Sequence, residues 1–194
     1  MIEVTEEILR TLPGPNQILG EWKLYLRFLR DYFTKHKIEK PVIVEIGTQN
    51  GAQKKHYEKF FDAVHIGIDI KIPDLDFAAS KPDIVGDSHS PATKAALVRM
   101  LDGRAIDALF IDGAHTYNDT ASDYYAYGPL CTGVIAFHDI RHEKEIGRLW
   151  RDLQAAEKGN RSLSFLSIGA WGNGWCELGI GIIARNKGEL QSLI

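Results

Sequence analysis

Apolar side chains near the start of the chain recur at the spacing of a helix. Over residues 18–37 they form one stripe on a single helix face. This pattern predicts an amphipathic helix that covers a sheet. The residues of this stripe are Trp22, Tyr25, Leu26, Leu29, Tyr32 and Phe33. A shorter helix is predicted over residues 5–11. Residues 12–16, which contain two prolines and a glycine, separate the two helices.

From residue 41 onward, short apolar runs alternate with longer stretches of helical period. Such alternation is typical of a parallel sheet covered by helices. The predicted strands are residues 42–46, 64–69, 83–85, 105–111, 133–137, 163–168 and 178–184. The predicted helices are residues 52–61, 91–101, 116–127 and 143–157. The sequence therefore predicts a doubly wound α/β fold with a seven-stranded, mostly parallel sheet and helices on both faces.

The link between the last two predicted strands, residues 169–177, is too short for a crossover helix. Because a parallel pair needs such a crossover, the last strand is predicted to run antiparallel to its neighbour. We expect a single globular unit in which residues 41–194 form the sheet domain. Residues 1–40 are expected to pack on it as helices that form a cover, a partial lid or a homodimer interface.

Composition and charge exclude several classes of function. Of the 194 residues, 44% are hydrophobic and 25% are charged, as in a globular protein with a buried core. The net charge of −3 gives no general attraction to nucleic acid or to an anionic membrane. The two cysteines, Cys131 and Cys176, have neither metal-ligand nor redox spacing. No apolar run reaches membrane-spanning length. We expect a cytoplasmic protein without nucleic-acid or membrane partners.

The loop after the first predicted strand has the chemistry of a ligand site. It has the pattern E-x-G-x-x-x-G, in which Gly47 allows close approach of a ligand and Gly51 a tight entry into a helix. Gln49 replaces the second glycine of the dinucleotide pattern G-x-G-x-x-G, which favours a ligand without phosphates. An ordinary strand-to-helix turn is the alternative. The candidate binding residues are Glu45, Gly47, Thr48, Gln49, Asn50 and Gly51.

The ends of the second and third predicted strands carry further polar residues. Asp69 ends the second strand, where a carboxylate can accept hydrogen bonds from both hydroxyls of a ribose. A helix or turn cap is the alternative role for Asp69. After the third strand, Asp87 and Ser88 can meet the exocyclic amine of an adenine that lies beside Ile70. Together the three strand ends predict a nucleoside pocket.

These segments resemble the class I S-adenosylmethionine-dependent methyltransferases. Within that class they resemble methyltransferase family 24, which includes O-methyltransferases of sugars and natural products. The resemblance spans roughly residues 41–185 and rests on residues 44–51, 67–69, 86–88, 106–117, 133–139 and 178–184. It implies the strand order 3-2-1-4-5-7-6 and S-adenosylmethionine as cofactor. It also implies cofactor contacts at Glu45, Gly47, Asp69 and Asp87, and Asp112 is a further candidate contact.

Two neighbouring strand ends carry a group of titratable residues. Asp112 and His115 follow the fourth strand, and His138 and Asp139 end the fifth. All four are predicted to converge beside the cofactor. Asp112, His115 and His138 are candidate catalytic residues, because either imidazole can take the proton of an acceptor hydroxyl. In the alternative interpretation, Asp112 and Asp139 cap helices and backbone groups bond to the histidines.

The same residues can instead hold a divalent cation. Asp112, His138 and Asp139 offer two carboxylates and an imidazole, which suit Mg²⁺ or Mn²⁺. Many members of the resembled family bind such an ion, and a D-G-D type turn supplies one of the carboxylates. Ala114 stands at that position here. A metal-assisted reaction and a metal-free reaction therefore both stay open.

A loop rich in glycine and tryptophan is predicted at the same edge of the sheet. Trp171 and Trp175, together with His115, are candidate contacts to the methyl acceptor. A plain hairpin with its aromatic side chains on the core is the alternative. The sequence thus predicts a methyltransferase that acts on a hydroxyl of a small molecule. The competing functions are a non-catalytic S-adenosylmethionine-binding protein and a nucleotide-dependent oxidoreductase.

Overall fold

The structure, a computed structural model, describes residues 1–74, 78–156, 162–171 and 174–185. One sheet consists of β1 (Val42–Ile46), β2 (Val64–Asp69), β3 (Ile84–Val85), β4 (Ile106–Ile111), β5 (Cys131–Phe137), β6 (Ser162–Phe165) and β9 (Ile180–Ala184). A second, two-stranded sheet consists of β7 (Ile168–Trp171) and β8 (Gly174–Glu177). The seven strands of the main sheet lie in the order β3-β2-β1-β4-β5-β9-β6.

Helices alternate with the first strands of this sheet. The α-helices in the described part of the chain are α1 (Glu6–Leu9), α2 (Leu19–Lys35), α3 (Ala52–Phe61), α4 (Pro91–Leu101), α5 (Tyr117–Tyr127) and α6 (Lys144–Ala156), and a 3-10 helix spans Gly128–Leu130. Hydroxyl side chains cap three of them, and Thr5 does so for α1. The Ser90 hydroxyl accepts an N–H in the first turn of α4, and the Thr116 hydroxyl does the same for α5. Such caps satisfy helix N–H groups that have no partner within the helix.

The pairing of the strands confirms the predicted fold class. β1 pairs in parallel with β2 and β4, β2 with β3, and β4 with β5. β9 runs antiparallel to β5 and to β6, as predicted for the last strand. With β9 counted as the seventh strand of the sheet, the order is the predicted 3-2-1-4-5-7-6.

The structure departs from the prediction between the last two strands of the main sheet. Residues 169–177, predicted as a loop, belong largely to the hairpin β7–β8, which pairs Ile168 with Glu177 and Trp171 with Gly174. The sixth strand is therefore shorter than predicted, because Ile168 pairs in the hairpin. The glycines of this segment suggested a loop. Its tryptophans, Trp171 and Trp175, and Ile168 just before it favour strand pairing on either side of the turn.

Side chains of the sheet alternate between two apolar cores, one on each face. On β1, Ile43 packs with residues of α2 and α3. Val42, Val44 and Ile46 pack in the other core, which includes residues of α4, α5 and α6. This alternation follows from the period of two along a strand. All five residues of β1 are buried, because helices cover both faces.

The N-terminal residues pack against the sheet through α2. Trp22 and Tyr25 are fully buried, and their rings lie 5.8 and 5.4 Å from the ring of Phe110 on β4. Trp22 Nε1 donates to His56 Nδ1 at 3.1 Å, and His56 Nε2 then donates to the carbonyl oxygen of Pro13 at 2.8 Å. Burial lowers the pKa of His56, which favours this neutral form. The role of residues 1–40 as a cover, lid or interface stays a prediction.

Replacing Trp22 by alanine is expected to lower the free energy of unfolding by about 3–5 kcal/mol, the usual cost of truncating a buried tryptophan. The change removes the ring contacts with Phe110 and leaves His56 without its donor. Chemical denaturation followed by circular dichroism measures the effect. Leu24→Ala is the matched control, since Leu24 lies on the same helix with 41% of its surface exposed. Equal losses of stability in both variants would contradict this account of the core.

No helix in the described part of the chain is long and apolar enough to cross a membrane. Both cysteines are free thiols, with Cys131 buried and Cys176 partly exposed. Cys131 Sγ lies 3.3 Å from the carbonyl oxygen of Val134, and burial raises the pKa of this thiol to about 12. Cys131 is therefore a protonated, inert core residue at neutral pH.

Candidate active site

A cavity of about 610 Å³ opens at the carboxyl ends of the parallel strands. Its walls come mainly from the ends of the parallel strands and the segments that follow them, where ligands bind in doubly wound sheets, and Asn16 adds a residue from before β1. The predicted site residues that line it are Gly47, Gln49, Asp69, Ile70, Asp87, Ser88, Asp112, His115, His138 and Asp139. The fold therefore brings together most of the residues that the sequence singled out.

The loop after β1 is held against the neighbouring strands. Gly47 has a φ of +86°, and a Cβ atom there would collide with the backbone carbonyl of Asp112. Its N–H donates to the carbonyl oxygen of Ile68 at 2.8 Å. The N–H of Gln49 donates to Asp69 Oδ2 at 2.9 Å. A glycine is required at position 47 because the loop backbone approaches β4 this closely.

Asp69, Ile70 and Asp87 form one end of the cavity. Asp69 accepts backbone N–H groups from Gln49 at 2.9 Å and Lys71 at 3.2 Å, which orient its carboxylate. A carboxylate has about four lone-pair sites, so it retains the capacity to accept further hydrogen bonds. The side chain of Ile70 is 70% exposed and offers an apolar surface on the same wall. Asp87 adds a second carboxylate.

Four predicted cofactor residues lie beside the cavity and do not line it. Glu45 is fully buried, and its Oε2 lies 2.8 Å from His65 Nε2. Burial raises the pKa of Glu45 although His65 opposes the change. Thr48 is buried, the side chain of Asn50 accepts an N–H in the first turn of α3 at 3.0 Å, and Gly51 precedes α3 with a φ of +68°. These residues shape the loop, and their direct contact with a ligand stays a prediction.

Asp112, His138 and Asp139 meet at the ends of β4 and β5. His138 Nδ1 lies 3.0 Å from Asp112 Oδ1 and 3.5 Å from Asp139 Oδ2. One possible ligand atom from each residue lies within 4.8 Å of the others. Asp139 has a left-handed backbone with a φ of +57°, a conformation that Asp and Asn adopt more readily than most residues. The donor set of two carboxylates and an imidazole fits a divalent cation.

His115 faces the same corner from the loop after β4. Its side chain is about half exposed, and its Nε2 lies 3.4 Å from Asp139 Oδ2 and 3.8 Å from Asp112 Oδ1. Its Nδ1 lies 3.8 Å from Glu143 Oε1. His115 is therefore the more accessible of the two histidines, since His138 is buried.

The charges at the ends of β4 and β5 lower the pKa of Asp112 and raise the pKa values of His115 and His138. Burial alone would raise the pKa of Asp112, but His138 and His115 outweigh it and hold that pKa below its ordinary value. Burial would lower the pKa of His138, but Asp112, Asp139 and Glu21 hold it well above its ordinary value. Asp112 raises the pKa of His115, and Asp139 and Glu143 add to the effect. Asp112 and His138 thus stabilise each other's charged forms.

Asp112 does not have the alternative role of a helix cap. The side chain that caps α5 belongs to Thr116. Asp112 instead accepts a hydrogen bond from Gln17 Nε2 at 2.8 Å, besides its contact with His138. His138 likewise faces carboxylates and not backbone groups. The cluster is therefore built from interactions between side chains.

No protein-family model matches the sequence, and no curated protein matches it. Solved structures do match. The MycE methyltransferase of the mycinamycin biosynthetic pathway, in complex with Mg and SAH, is 18% identical with a TM-score of 0.54, over 85% of this chain and 50% of MycE. An O-methyltransferase from Bacillus cereus in complex with SAH is 16% identical with a TM-score of 0.53, over 94% of this chain and 91% of that one. An rRNA methylase from Streptococcus thermophilus is 10% identical with a TM-score of 0.57, over 86% of this chain and 97% of that one.

The chain has the class I methyltransferase fold. Its strand order and its single antiparallel strand agree with the order that the resemblance implied. The chain spans about half the length of the MycE structures that it matches.

Residues before β1 also contribute to the candidate site, and none of them was predicted from the sequence. Gln17 links α3 to the cluster, because its Oε1 accepts from Gln53 Nε2 at 3.0 Å while its Nε2 donates to Asp112. The side chain of Asn16 bonds to that of Gln49. Glu21 is fully buried, with its Oε1 3.5 Å from His138 Nε2. The one available signal was Glu21, an acidic residue beside the apolar stripe of the predicted helix.

The two tryptophans proposed as acceptor contacts lie on the hairpin β7–β8. Trp171 pairs with Gly174, and Trp175 pairs with Ala170. The side chain of Trp175 is 77% exposed and does not line the cavity. It therefore packs neither on the core nor on the cavity wall of the methyltransferase fold. A role for the hairpin in acceptor binding stays a prediction.

Proposed function

We propose that this protein is an S-adenosylmethionine-dependent methyltransferase that methylates a hydroxyl of a small molecule, with a divalent cation at Asp112, His138 and Asp139. One observation carries the proposal. The carboxylates at the ends of β2 and β3 and the titratable cluster at the ends of β4 and β5 line one cavity. A nucleoside-binding end and a proton-transfer end therefore lie next to each other, as methyl transfer requires.

The chemistry of the cavity walls fits the methyl donor. Asp69 retains acceptor capacity for the ribose hydroxyls, and Asp87 for the exocyclic amine of adenine. Ile70 offers an apolar contact for the adenine ring. The bound donor supplies an electrophilic methyl group on a sulfonium. The carboxylates of this cavity favour its positive charge.

His115 is the residue best placed to take the proton of the acceptor hydroxyl. It lines the cavity, its side chain is about half exposed, and Asp139 and Glu143 flank its two ring nitrogens. His138 is less suited to this role, because it is buried and its two ring nitrogens face Asp112, Asp139 and Glu21. We assign His115 as the general base, and we assign Asp112 and His138 to the neighbouring cation site.

The cation site rests on the donor set at the ends of β4 and β5. Asp112, His138 and Asp139 would hold the ion, and His138 would release its Nδ1 proton in exchange. Such an ion makes a nearby hydroxyl more acidic. Ala114 lies on the cavity wall where the resembled family has a further carboxylate, which leaves space for an acceptor. MycE, which resembles this chain in structure, was solved in complex with Mg and SAH together, which supports the assignment.

The lining of the cavity favours a small molecule over RNA as the acceptor. An rRNA methylase shares this fold, so the fold does not decide between them. The cavity wall carries the carboxylates of Asp69, Asp87, Asp112, Asp119 and Asp139, whereas Lys71 is its one lysine among the described residues. A phosphate backbone is repelled by such a surface, and the net charge of −3 adds to this.

Replacing Asp69 by alanine is expected to weaken S-adenosylhomocysteine binding by about 1–3 kcal/mol, because a charged acceptor for the ribose is lost. Isothermal titration calorimetry measures the change. Asp69→Asn is the matched variant. Its side-chain oxygen can still accept the N–H of Gln49, so it separates the support of the loop from ribose binding. Unchanged affinity in Asp69→Ala would reject this placement of the cofactor.

The test of the activity itself uses the full chain, S-adenosylmethionine and a panel of hydroxylated small molecules. Formation of S-adenosylhomocysteine with and without Mg²⁺ is the readout. Binding of the cofactor without turnover on any acceptor would favour the non-catalytic alternative. Tight binding of a nicotinamide nucleotide in place of S-adenosylhomocysteine would favour the oxidoreductase alternative.

A further inference from the structure

Gln53 places an unpaired amide oxygen at the wall of the cavity. The residue lies in the first turn of α3, lines the cavity and has only 1% of its surface exposed. Its Oε1 has no hydrogen-bond partner among the described residues. A buried acceptor without a partner costs free energy, and a donor group of a bound ligand removes that cost. The oxygen therefore marks a ligand-binding position that the sequence analysis did not predict.

The hydrogen bonds behind Gln53 fix the direction of its amide. Gln17 Nε2 donates to Asp112 Oδ2 at 2.8 Å, and Gln53 Nε2 donates to Gln17 Oε1 at 3.0 Å. Because a carboxylate accepts hydrogen bonds, Gln17 turns its NH₂ group towards Asp112 and its oxygen towards Gln53. Gln53 must then donate to that oxygen. Its own oxygen, and not its NH₂ group, is thus left at the cavity.

Gln53 lies where the proposed function places the methionyl end of the methyl donor. The sheet order puts β1 between β2, which ends in Asp69, and β4, which leads to the cluster at Asp112. The sulfonium of the donor joins an adenosyl group, the transferable methyl and a methionyl arm. With the adenosyl group at β2 and β3 and the methyl towards the cluster, the methionyl arm is left with the end of β1 and the start of α3.

We propose that Gln53 is a specificity-determining residue whose Oε1 accepts a hydrogen bond from the ammonium group of the methionyl arm, and that Gln17 is the positioning residue that holds this oxygen towards the cavity. The proposal deepens the proposed function and rests on it for the identity of the ligand. An ammonium group only donates, whereas the carboxylate of the same arm only accepts. The chain of amides therefore favours the ammonium and disfavours the carboxylate at this position.

Two analogues of S-adenosylhomocysteine separate the two charged groups. The deamino analogue keeps only the carboxylate, and the decarboxylated analogue keeps only the ammonium. Isothermal titration calorimetry with the full chain measures the affinity for each. We expect Gln53→Leu to weaken binding of S-adenosylhomocysteine and of the decarboxylated analogue by about 10- to 100-fold, the usual effect of losing a hydrogen bond to a charged group. Binding of the deamino analogue should stay unchanged.

Gln17→Leu tests the direction of the amide. Without Gln17, the side chain of Gln53 can turn its NH₂ group as well as its oxygen towards the cavity. The preference for the decarboxylated over the deamino analogue should therefore fall by about tenfold, although Gln53 itself is unchanged. A purely structural role of Gln17 would weaken both analogues alike. Gln154→Leu is the matched control, because Gln154 is exposed on α6 and does not line the cavity. All affinities should stay the same in this control.

Equal weakening of all three ligands by Gln53→Leu, or weakening of none, would overturn the proposal. If that variant does not fold, the unmodified chain decides. Equal affinities of that chain for the two analogues overturn the proposal, and a clear preference for the decarboxylated analogue supports it. Failure of the proposed function is seen separately. Binding of S-adenosylhomocysteine without turnover rejects methyl transfer and leaves this assignment in place, whereas a chain that does not bind it at all rejects both.

Discussion

Replacing His115 by alanine is expected to slow methyl transfer by about a hundredfold, the lower end of the loss when a general base is removed. The affinity for S-adenosylhomocysteine should stay close to that of the unmodified chain. His115 lies at the cluster and not at the Asp69 end of the cavity, which explains the separation of the two effects. Single-turnover rates and calorimetry on the same preparations measure them.

His142→Ala is the matched control for this experiment. His142 is an exposed histidine close to Asp139 in sequence, and it is not among the residues that line the cavity. Its replacement should leave the rate unchanged. A near-normal rate in His115→Ala together with a large loss in His138→Ala would transfer the proton-abstracting role to His138. It would also contradict the assignment of the buried His138 to the cation site.

The main features of the fold could be predicted from the sequence, because local pattern and global topology agree there. The buried parallel strands are mainly apolar runs, such as Val42–Ile46, where Glu45 is the one polar residue, and glycine or polar residues follow them. The antiparallel direction of the last strand followed from the short link before it, residues 169–177, which cannot hold a crossover helix. The hairpin β7–β8 was only the alternative to a loop in the sequence, because strands of four residues with several glycines have almost no periodicity to detect.

The site was predictable only where its residues follow strand ends. Asp69, Asp87, Asp112 and Asp139 occur at such positions, and parallel pairing brings their loops to one edge of the sheet. Gln17 and Glu21 come from before β1 and reach the site because α2 packs across the sheet. Their placement depends on how the apolar stripe of α2 packs on the sheet. No local sequence pattern specifies which polar residues beside the stripe then lie at the site.

The second large effect is expected at the proposed cation site, where Asp139→Asn should lower Mn²⁺ affinity by at least about a hundredfold and remove any stimulation of the rate by Mg²⁺. Substitution of residues that only support metal ligands already costs about 10- to 100-fold, so loss of a ligand charge should cost no less. Asparagine is the suitable replacement, because it tolerates the left-handed backbone at a φ of +57°, whereas alanine would add strain.

The matched control is Asp62→Asn, which makes the same chemical change at another left-handed position. Asp62 has a φ of +51° and an exposed side chain that pairs only with Lys40 among the described residues, at 3.3 Å. Calorimetric titration of Mn²⁺ into each full-length variant should give unchanged affinity for this control and a marked loss for Asp139→Asn. Equal affinities in both would mean that the ion does not bind at the ends of β4 and β5. The low pKa of Asp112 would then reflect only its pairing with His138 and His115, and methyl transfer would depend on those side chains without a metal.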